Sequence, residues 1–371
     1  MNAQQLLGLL QETGVRFATG VPDSLLTGLT DALAGHPAIR HVVAASEGAA
    51  IALAAGHHLA TGARALVYMQ NSGLGNAVNP LLAMCHPRVY DLPMILVVGW
   101  RGAPGRADEP QHLPTGAITT SLLELMGIPF FILAAPAPSE LERLRQWLAT
   151  RGAGTVAILV KADAIPAPGV RDTMPRQAAM DRQLVLERVL AAIPPDEAVF
   201  AGIGHVGREL LQIRQREGPG GNRPDFLCVG AMGHASQFTL GFALSSPGRR
   251  VWCLDGDGAF TMHMGACNLV SRLPGVRFVH VLFDNGAHAS VGGSEVCGRD
   301  TDYGSVARAA GYALVVKVAA ESGIEDALRA ATSCAGPALL WVLVSPHAKE
   351  GLPRPGNDLA RYRDQFRSLT A

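Results

Sequence analysis

Arg250-Val251-Trp252-Cys253-Leu254-Asp255-Gly256-Asp257-Gly258 reads as a buried strand that ends in a tight acidic turn. A helix-period stretch from Met262 to Arg272 follows, and a second apolar strand, Phe278 to Phe283, then delivers Asp284-Asn285-Gly286. Twenty-seven residues separate Asp257 from Asn285. Adjacent parallel strands joined by one helix need about this much chain. The spacing therefore brings a carboxylate and an amide oxygen to one edge of a sheet, with glycines that let backbone come close to a ligand. Hard oxygen ligands, few in number, suit a magnesium ion that keeps phosphate oxygens as its other ligands. Gly-Asp-Gly alone is common in turns. The distant Asn at matching register turns it into a metal-site reading.

Outward from this stretch, short apolar strands alternate with helical segments, which argues for an α/β fold of parallel sheets flanked by helices. The first half holds Arg16–Gly20, Ala65–Met69, Pro93–Gly99, Pro129–Leu133 and Thr155–Val160, with a weaker strand near His41. The second holds Ala198–Phe200, Phe226–Val229, Val251–Leu254, Phe278–Phe283, Ala313–Val316 and Ala338–Val344. Between them, Ile165-Pro166-Ala167-Pro168-Gly169 opens a polar, Pro-containing stretch with the character of a linker. This predicts a domain over residues 1–163, a linker over 164–178 and a second domain over 179–371. The halves echo each other. Ala55 to Gly62 leads into a strand and then Asn71-Ser72-Gly73, while Leu240 to Leu244 leads into a strand and then Gly-Asp-Gly. Two copies of one fold explain this, and so does ordinary α/β grammar.

The 371 residues are 48% hydrophobic with zero formal net charge, enough chain for two domains with a core each. Without a basic block or an aromatic-interleaved basic stripe, nucleic acid is not an expected partner. Met1 to Val15 lacks a basic leader, and Gln4, Gln5, Gln11 and Glu12 interrupt its leucines, so it reads as an amphipathic helix and not a signal peptide. The longest apolar run, Pro93 to Trp100, is too short to cross a membrane. Six cysteines show no CxxC pair and read as structural thiols of a cytoplasmic protein.

Glu47 is the one acid in an otherwise small and apolar run, Val43 to Ala55. Ser46 and Glu47 fit the start of a helix as capping residues. A buried carboxyl group there is equally suited to sharing a proton with a ligand nitrogen. Val229-Gly230-Ala231-Met232-Gly233-His234-Ala235-Ser236 is another strand end opening a helix, with glycine amides able to meet an anion. His57 and His58 read as helix packing.

Gly256-Asp257-Gly258 with Asn285 resembles the diphosphate–magnesium signature of thiamine diphosphate enzymes. Glu47 is similar to that family's activating glutamate, and Gly230-Ala231-Met232-Gly233 to its cofactor-bending loop. The order fits a pyrimidine domain followed by a diphosphate domain, and the linker is too short for the central domain of larger members. The resemblance narrows to the phosphonopyruvate decarboxylase family through Gly20-Val21-Pro22-Asp23-Ser24-Leu25-Leu26, Met69 to Asn76, Gly99-Trp100-Arg101-Gly102 and Asp108-Glu109-Pro110-Gln111-His112. Met262-His263-Met264-Gly265 and Asn285-Gly286-Ala287-His288 continue it, so that it covers nearly the whole chain. Sulfopyruvate decarboxylases are close relatives. Two departures stand out. Gly202-Ile203-Gly204-His205-Val206-Gly207 replaces a run of threonines before Arg208-Glu209, and Ser46 and Ala49 replace asparagines beside the glutamate.

The resemblance implies a homo-oligomeric carboxy-lyase of phosphonate biosynthesis whose active sites span subunit interfaces. Its substrate would be 3-phosphonopyruvate, giving phosphonoacetaldehyde and carbon dioxide, with sulfopyruvate or another anionic 2-oxo acid as the alternative. A carboligase or a non-catalytic cofactor-binding subunit are more distant readings. Magnesium would be held by Asp257, the Asn285 side chain and the Ala287 carbonyl, with Gly256, Gly258 and Ala259 against the diphosphate. Met232 would be an apolar wedge under the cofactor, with plain core as its alternative, and Gly230, Gly233 and His234 would surround it. Glu47 would bond the pyrimidine nitrogen. Asp23, Asn71 and His112 would face the same pocket, although Asp23 also fits a helix cap and Gly102 to Pro114 could be a lid or a surface loop. Ser24, Arg101, Arg106 and His288 are candidate substrate contacts, arginine because it suits bidentate anion binding.

Overall fold

The computed structural model describes residues 2–166, 180–202, 204–218, 223–273, 275–347, 349, 351–356 and 358–370. The chain divides into two compact units. One comprises Met1–Asp172 and Val291–Cys297, the other Thr173–Ser290 and Gly298–Ala371. The predicted linker falls largely on residues 167–179, outside the described residues, whereas Ala164 and Ile165 at its start lie in the core of the first unit.

The first unit runs α1 (Ala3–Glu12), β1 (Phe17–Gly20), α2 (Thr27–Leu33), β2 (Arg40–Val43), α3 (Glu47–Thr61), β3 (Ala65–Gln70), α4 (Leu74–Pro80), β4 (Met94–Gly99), α5 (His112–Leu125), β5 (Phe130–Leu133), α6 (Pro138–Ala149) and β6 (Val156–Val160). Its strands form one parallel sheet in the order β2-β1-β3-β4-β6-β5. Both faces of the strands are apolar, as a sheet covered on both sides requires. Leu66, Tyr68, Ile95 and Val97 pack with α1, α2 and α6, while Val67, Met69, Leu96 and Val98 pack with α3, α4 and α5.

The second unit runs α7 (Arg182–Ala192), β7 (Ala198–Ala201), α8 (His205–Glu217), β8 (Asp225–Leu227), α9 (Ala235–Leu244), β9 (Val251–Gly256), α10 (Asp257–Met262), β10 (Phe278–Asp284) and the two-residue β11 (Ala287–His288). After the equally short β12 (Ser294–Glu295), which belongs to the first unit, come α11 (Tyr303–Ala309), β13 (Leu314–Val318), α12 (Ile324–Ser333), β14 (Ala338–Leu343) and α13 (Leu359–Thr370). The sheet order is β13-β14-β10-β9-β7-β8, again parallel. Counted from the first strand of each unit, this is the same order as in the first sheet. The echoed segments in the sequence, α3 with β3 and α9 with β9, occupy equivalent places.

Two expectations change. The helix after Gly-Asp-Gly was expected from Met262, but α10 starts at Asp257 itself, directly after the extended Gly256, and Met264–Arg272 continues as 3-10 helix. His263 leaves helical dihedrals and separates the two. The apolar α3 is buried on one face only: Leu53 is 43% and Leu59 72% exposed. Among the described residues no helix is long and apolar enough to cross a membrane.

Candidate active site

In each sheet the strand order reverses beside the first strand of the unit, and polar residues gather past the carboxyl ends of the strands there. Crevices at such switch points are where open α/β sheets bind ligands. In the first unit the residues following β1, β2, β3 and β4 include Asp23, Glu47, Asn71 and Arg101 in turn.

Glu47 is the first residue of α3, and Ser46 caps the helix by accepting from the Ala49 amide. Capping therefore does not need the Glu47 side chain. That carboxylate is 6% exposed, and its Oε2 accepts from Asn76 Nδ2 at 2.9 Å. Gly73 shapes the other side: a Cβ there would fall 2.7 Å from Glu47 Cδ. Only glycine leaves room for the carboxyl group.

Asp23 does cap the 3-10 turn Ser24–Leu26, Oδ2 accepting from the Leu25 amide at 2.9 Å. Its Oδ1 is buried with no hydrogen-bond partner. Burial raises its pKa to about 6, against the lowering effects of the Leu25 amide and of Arg101. Gly99 makes room for it, since a Cβ there would overlap the Asp23 carboxyl. Arg101 forms a bidentate pair with Asp108 and donates to Ser24 Oγ at 3.1 Å. Asn71 is tied to the same strand end, donating to the Arg101 carbonyl at 2.9 Å and to Thr119 Oγ1, and accepting from the Arg101 amide. His112 is buried as the first residue of α5, and burial followed by the Arg101 charge lowers its pKa to about 4. Asp108 also accepts from the Gly102 amide at 2.7 Å, so the Gly102 segment is pinned at its base. Arg106 is half-exposed and pairs instead with Asp163 and the Ala162 carbonyl.

In the second unit Asp257 is buried, and its Oδ2 accepts from the Gly286 amide at 2.8 Å, which ties the ends of β9 and β10 together. Burial and the neighbouring Asp284 carboxylate push the Asp257 carboxyl well above its ordinary range. Two acids crowded at one dry edge fit a divalent cation, which removes their repulsion. The Asn285 side-chain oxygen accepts from the Ala287 amide, and Asp284 Oδ2 accepts from Trp341 Nε1 at 2.8 Å. His288 is held to a pKa of about 4 by burial.

The loop Gly230–Gly233 lies against α10. A Cβ on Gly233 would meet His263 Cδ2 and the Ala259 carbonyl oxygen, and His234 stacks on His263 with ring centroids 4.3 Å apart. Gly230, Ala231 and Gly233 all have positive φ, Ala231 at 46°. Met232 is half-buried. Asn76, Gly73, Asp108, Thr119, Asp284 and His263 were not singled out from sequence. Asp284 had a signal there, as a second acid closing an apolar strand.

Residues 2–121 match the family described as Thiamine pyrophosphate enzyme, N-terminal TPP binding domain, and residues 202–342 the one described as Thiamine pyrophosphate enzyme, C-terminal TPP binding domain. The class is that of thiamine pyrophosphate enzymes, one cofactor-binding domain in each half. The chain is 33% identical to a phosphonopyruvate decarboxylase of Streptomyces viridochromogenes, over 100% of this chain and 95% of that protein. It is 35% identical to one from Streptomyces hygroscopicus, over 96% and 90% of the two chains. A sulfopyruvate decarboxylase of Methanosarcina acetivorans is 24% identical over 92% and 91%. The chain belongs to the phosphonopyruvate decarboxylase family.

Proposed function

We propose that this chain is a thiamine diphosphate- and magnesium-dependent decarboxylase that converts 3-phosphonopyruvate to phosphonoacetaldehyde and carbon dioxide. What carries the reading is a buried Glu47 in a glycine cradle, together with the Asp257–Asp284 pair, in a chain that matches two phosphonopyruvate decarboxylases nearly end to end. When bound, thiamine diphosphate supplies the electron sink that accepts the pair freed as carbon dioxide leaves. Asp257, the Asn285 side chain and the Ala287 carbonyl would hold magnesium, and Gly256, Gly258 and Ala259 would meet the diphosphate. Gly230, Met232, Gly233 and His234 would contact the cofactor.

Glu47 is fixed at Oε2 by Asn76, which leaves Oε1 as the atom that would hold or give up a proton toward a pyrimidine nitrogen. Asp23 Oδ1, buried and without a partner, is the atom that gives or takes the proton on the substrate side; a pKa near 6 suits it to both. Burial and the Arg101 charge keep His112 neutral, so it serves as a hydrogen-bond donor or acceptor. Arg101 is already paired with Asp108, so it positions Ser24 and the Asn71 strand end. Arg106 is paired with Asp163, so a phosphonate there would have to displace that carboxylate, and Ser24 and His288 are the further candidate contacts. Carbon dioxide release from phosphonopyruvate, sulfopyruvate and pyruvate tests the assignment. Phosphonopyruvate is expected to react fastest. Faster turnover of sulfopyruvate would transfer the assignment to that substrate, and a cofactor-loaded protein inert to all three would end the decarboxylase reading.

We also assign the enzyme to the cytoplasm, its six thiols being free, and to a homo-oligomer. The helices α3 and α5 present Leu53, Leu59, Leu113, Ile118 and Leu125 to solvent, the last 85% exposed, and α9 presents Phe238 and Leu244. Large apolar side chains exposed along helices in this way favour an interaction surface. If the active sites span subunits, mixing inactive Glu47→Gln with inactive Asp257→Ala chains restores part of the activity. No recovery after verified subunit exchange would refute shared sites.

A further inference from the structure

The second unit carries a cavity of about 450 Å³ that the proposed chemistry does not use. Its floor is Trp341 of β14, and its walls bring three cationic side chains from three elements: Arg299 before α11, Arg308 at the end of α11 and Lys317 on β13. Lys317 stands opposite Trp341 in the strand register, with Nζ 4.0 Å from the indole centroid. Gly304 lets a second cation approach. A Cβ there would lie 3.2 Å from Asp302 Oδ1, 3.3 Å from Arg308 Nη2 and 3.4 Å from Trp341 Cε3, so all three side chains border Gly304. Neither Arg308 nor Lys317 forms a salt bridge among the described residues.

Two acids line the same cavity, and one of them is committed elsewhere. Asp302 caps α11, accepting from the Ser305 amide at 2.9 Å and from Ser305 Oγ at 2.7 Å. Its charge remains, and it is felt by Arg308, so the lining carries three cationic side chains against two carboxylates. The balance favours an oxyanion, which guanidinium and ammonium donors bind through charge-assisted hydrogen bonds. A bare phosphate fills a small part of such a volume, so the remainder suits an organic portion over the indole. The floor also reaches the catalytic edge, because Trp341 Nε1 donates to Asp284, the carboxylate beside Asp257.

We propose that this cavity is an effector site for a small phosphorylated or phosphonylated molecule, its oxyanion held by Arg308 and Lys317, and that occupancy changes magnesium affinity through Trp341 and Asp284. The binding half stands independently of the catalytic reading, and the coupling half rests on it. The holoenzyme carries four tryptophans, so 5-fluorotryptophan labelling gives a fluorine spectrum in which Trp341→Phe identifies one signal. Inorganic phosphate and ribose 5-phosphate are titrated separately at constant ionic strength, with chloride as the control. The Trp341 signal is expected to move saturably, at lower concentration for ribose 5-phosphate. Arg308→Met and Lys317→Met are each expected to weaken binding by about tenfold, the scale of a lost hydrogen bond to a charged group. No saturable movement, movement reproduced by chloride, or unchanged affinity in both variants would overturn the site. Magnesium titration with and without saturating ribose 5-phosphate tests the coupling. Two different constants are expected, with the reciprocal effect of magnesium on anion affinity, and equal constants would overturn it. Asp257→Ala separates the two readings: the Trp341 shift persists there if the effector site is real, whatever becomes of the metal.

Discussion

The two units share a strand order and differ in what they place at each strand end. After the first strand stands Asp23 in one unit and Gly202 in the other. The second strand leads to Glu47 or to the Gly230–Gly233 loop, the third to Asn71 or Asp257, and the fourth to Arg101 or Asn285. The acids have changed places. In the first unit they follow the strands on one side of the switch point, where the proposed function would use them for proton transfer; in the second they follow those on the other side, where they crowd together as a metal site would require. One frame thus offers equivalent positions, and the two units place their acids at different ones.

The comparison breaks first at Asp257. Asp257→Ala is expected to abolish magnesium-dependent cofactor retention, because the diphosphate charge then lacks its counter-ion; cofactor binding by calorimetry checks it, and full affinity would unseat the metal assignment. Glu47→Gln is expected to keep cofactor affinity while turnover and thiazolium proton exchange fall by about two orders of magnitude or more. Quenched exchange followed by NMR measures this, and unchanged exchange would return Glu47 to a structural role. Asn76→Ala sharpens the same point: exchange should fall by about tenfold, with little change in cofactor affinity, since one hydrogen bond to a charged group is lost.

Asp23→Asn tests the first unit by pH. Burial raises the folded pKa to about 6 from 3.8, so the folded protein favours the protonated acid. The wild type therefore has its full stability below the ordinary value and loses stability as pH rises through about 6. A shift of about two units corresponds to about 3 kcal/mol. The Asn variant escapes that loss, so it should gain on the wild type between acidic and neutral pH in urea titrations, while carbon dioxide release drops. A constant difference across this range would contradict the buried titrating acid. The smallest effect is expected at Ala231, whose φ of 46° is left-handed. Ala231→Gly should stabilise by about 0.5 kcal/mol, relief of strain partly offset by unfolded-state entropy, measured by thermal unfolding.

The shared edge of β9 and β10 was legible because a parallel crossover has a minimum length and a fixed hand, so Asp257 and Asn285 emerge together. Their surroundings were hidden by distance: Asn76 lies 29 residues from Glu47, and Trp341 57 from Asp284. No local pattern pairs them. The stretch Met262–Arg272 kept its apolar spacing in 3-10 geometry, which periodicity does not separate from an α-helix, and so α10 was missed at its true start. The exposed face of α3 escaped for another reason. An apolar helix has the same composition whether its neighbour is its own core or another molecule.

That exposed face ties the life of the fold to its abundance. If Leu59 and Leu125 are covered by a second chain, every dissociation returns this surface to water, and folding free energy becomes a property of a population. Dilution then acts as a denaturant, and the melting temperature follows how much of the protein there is.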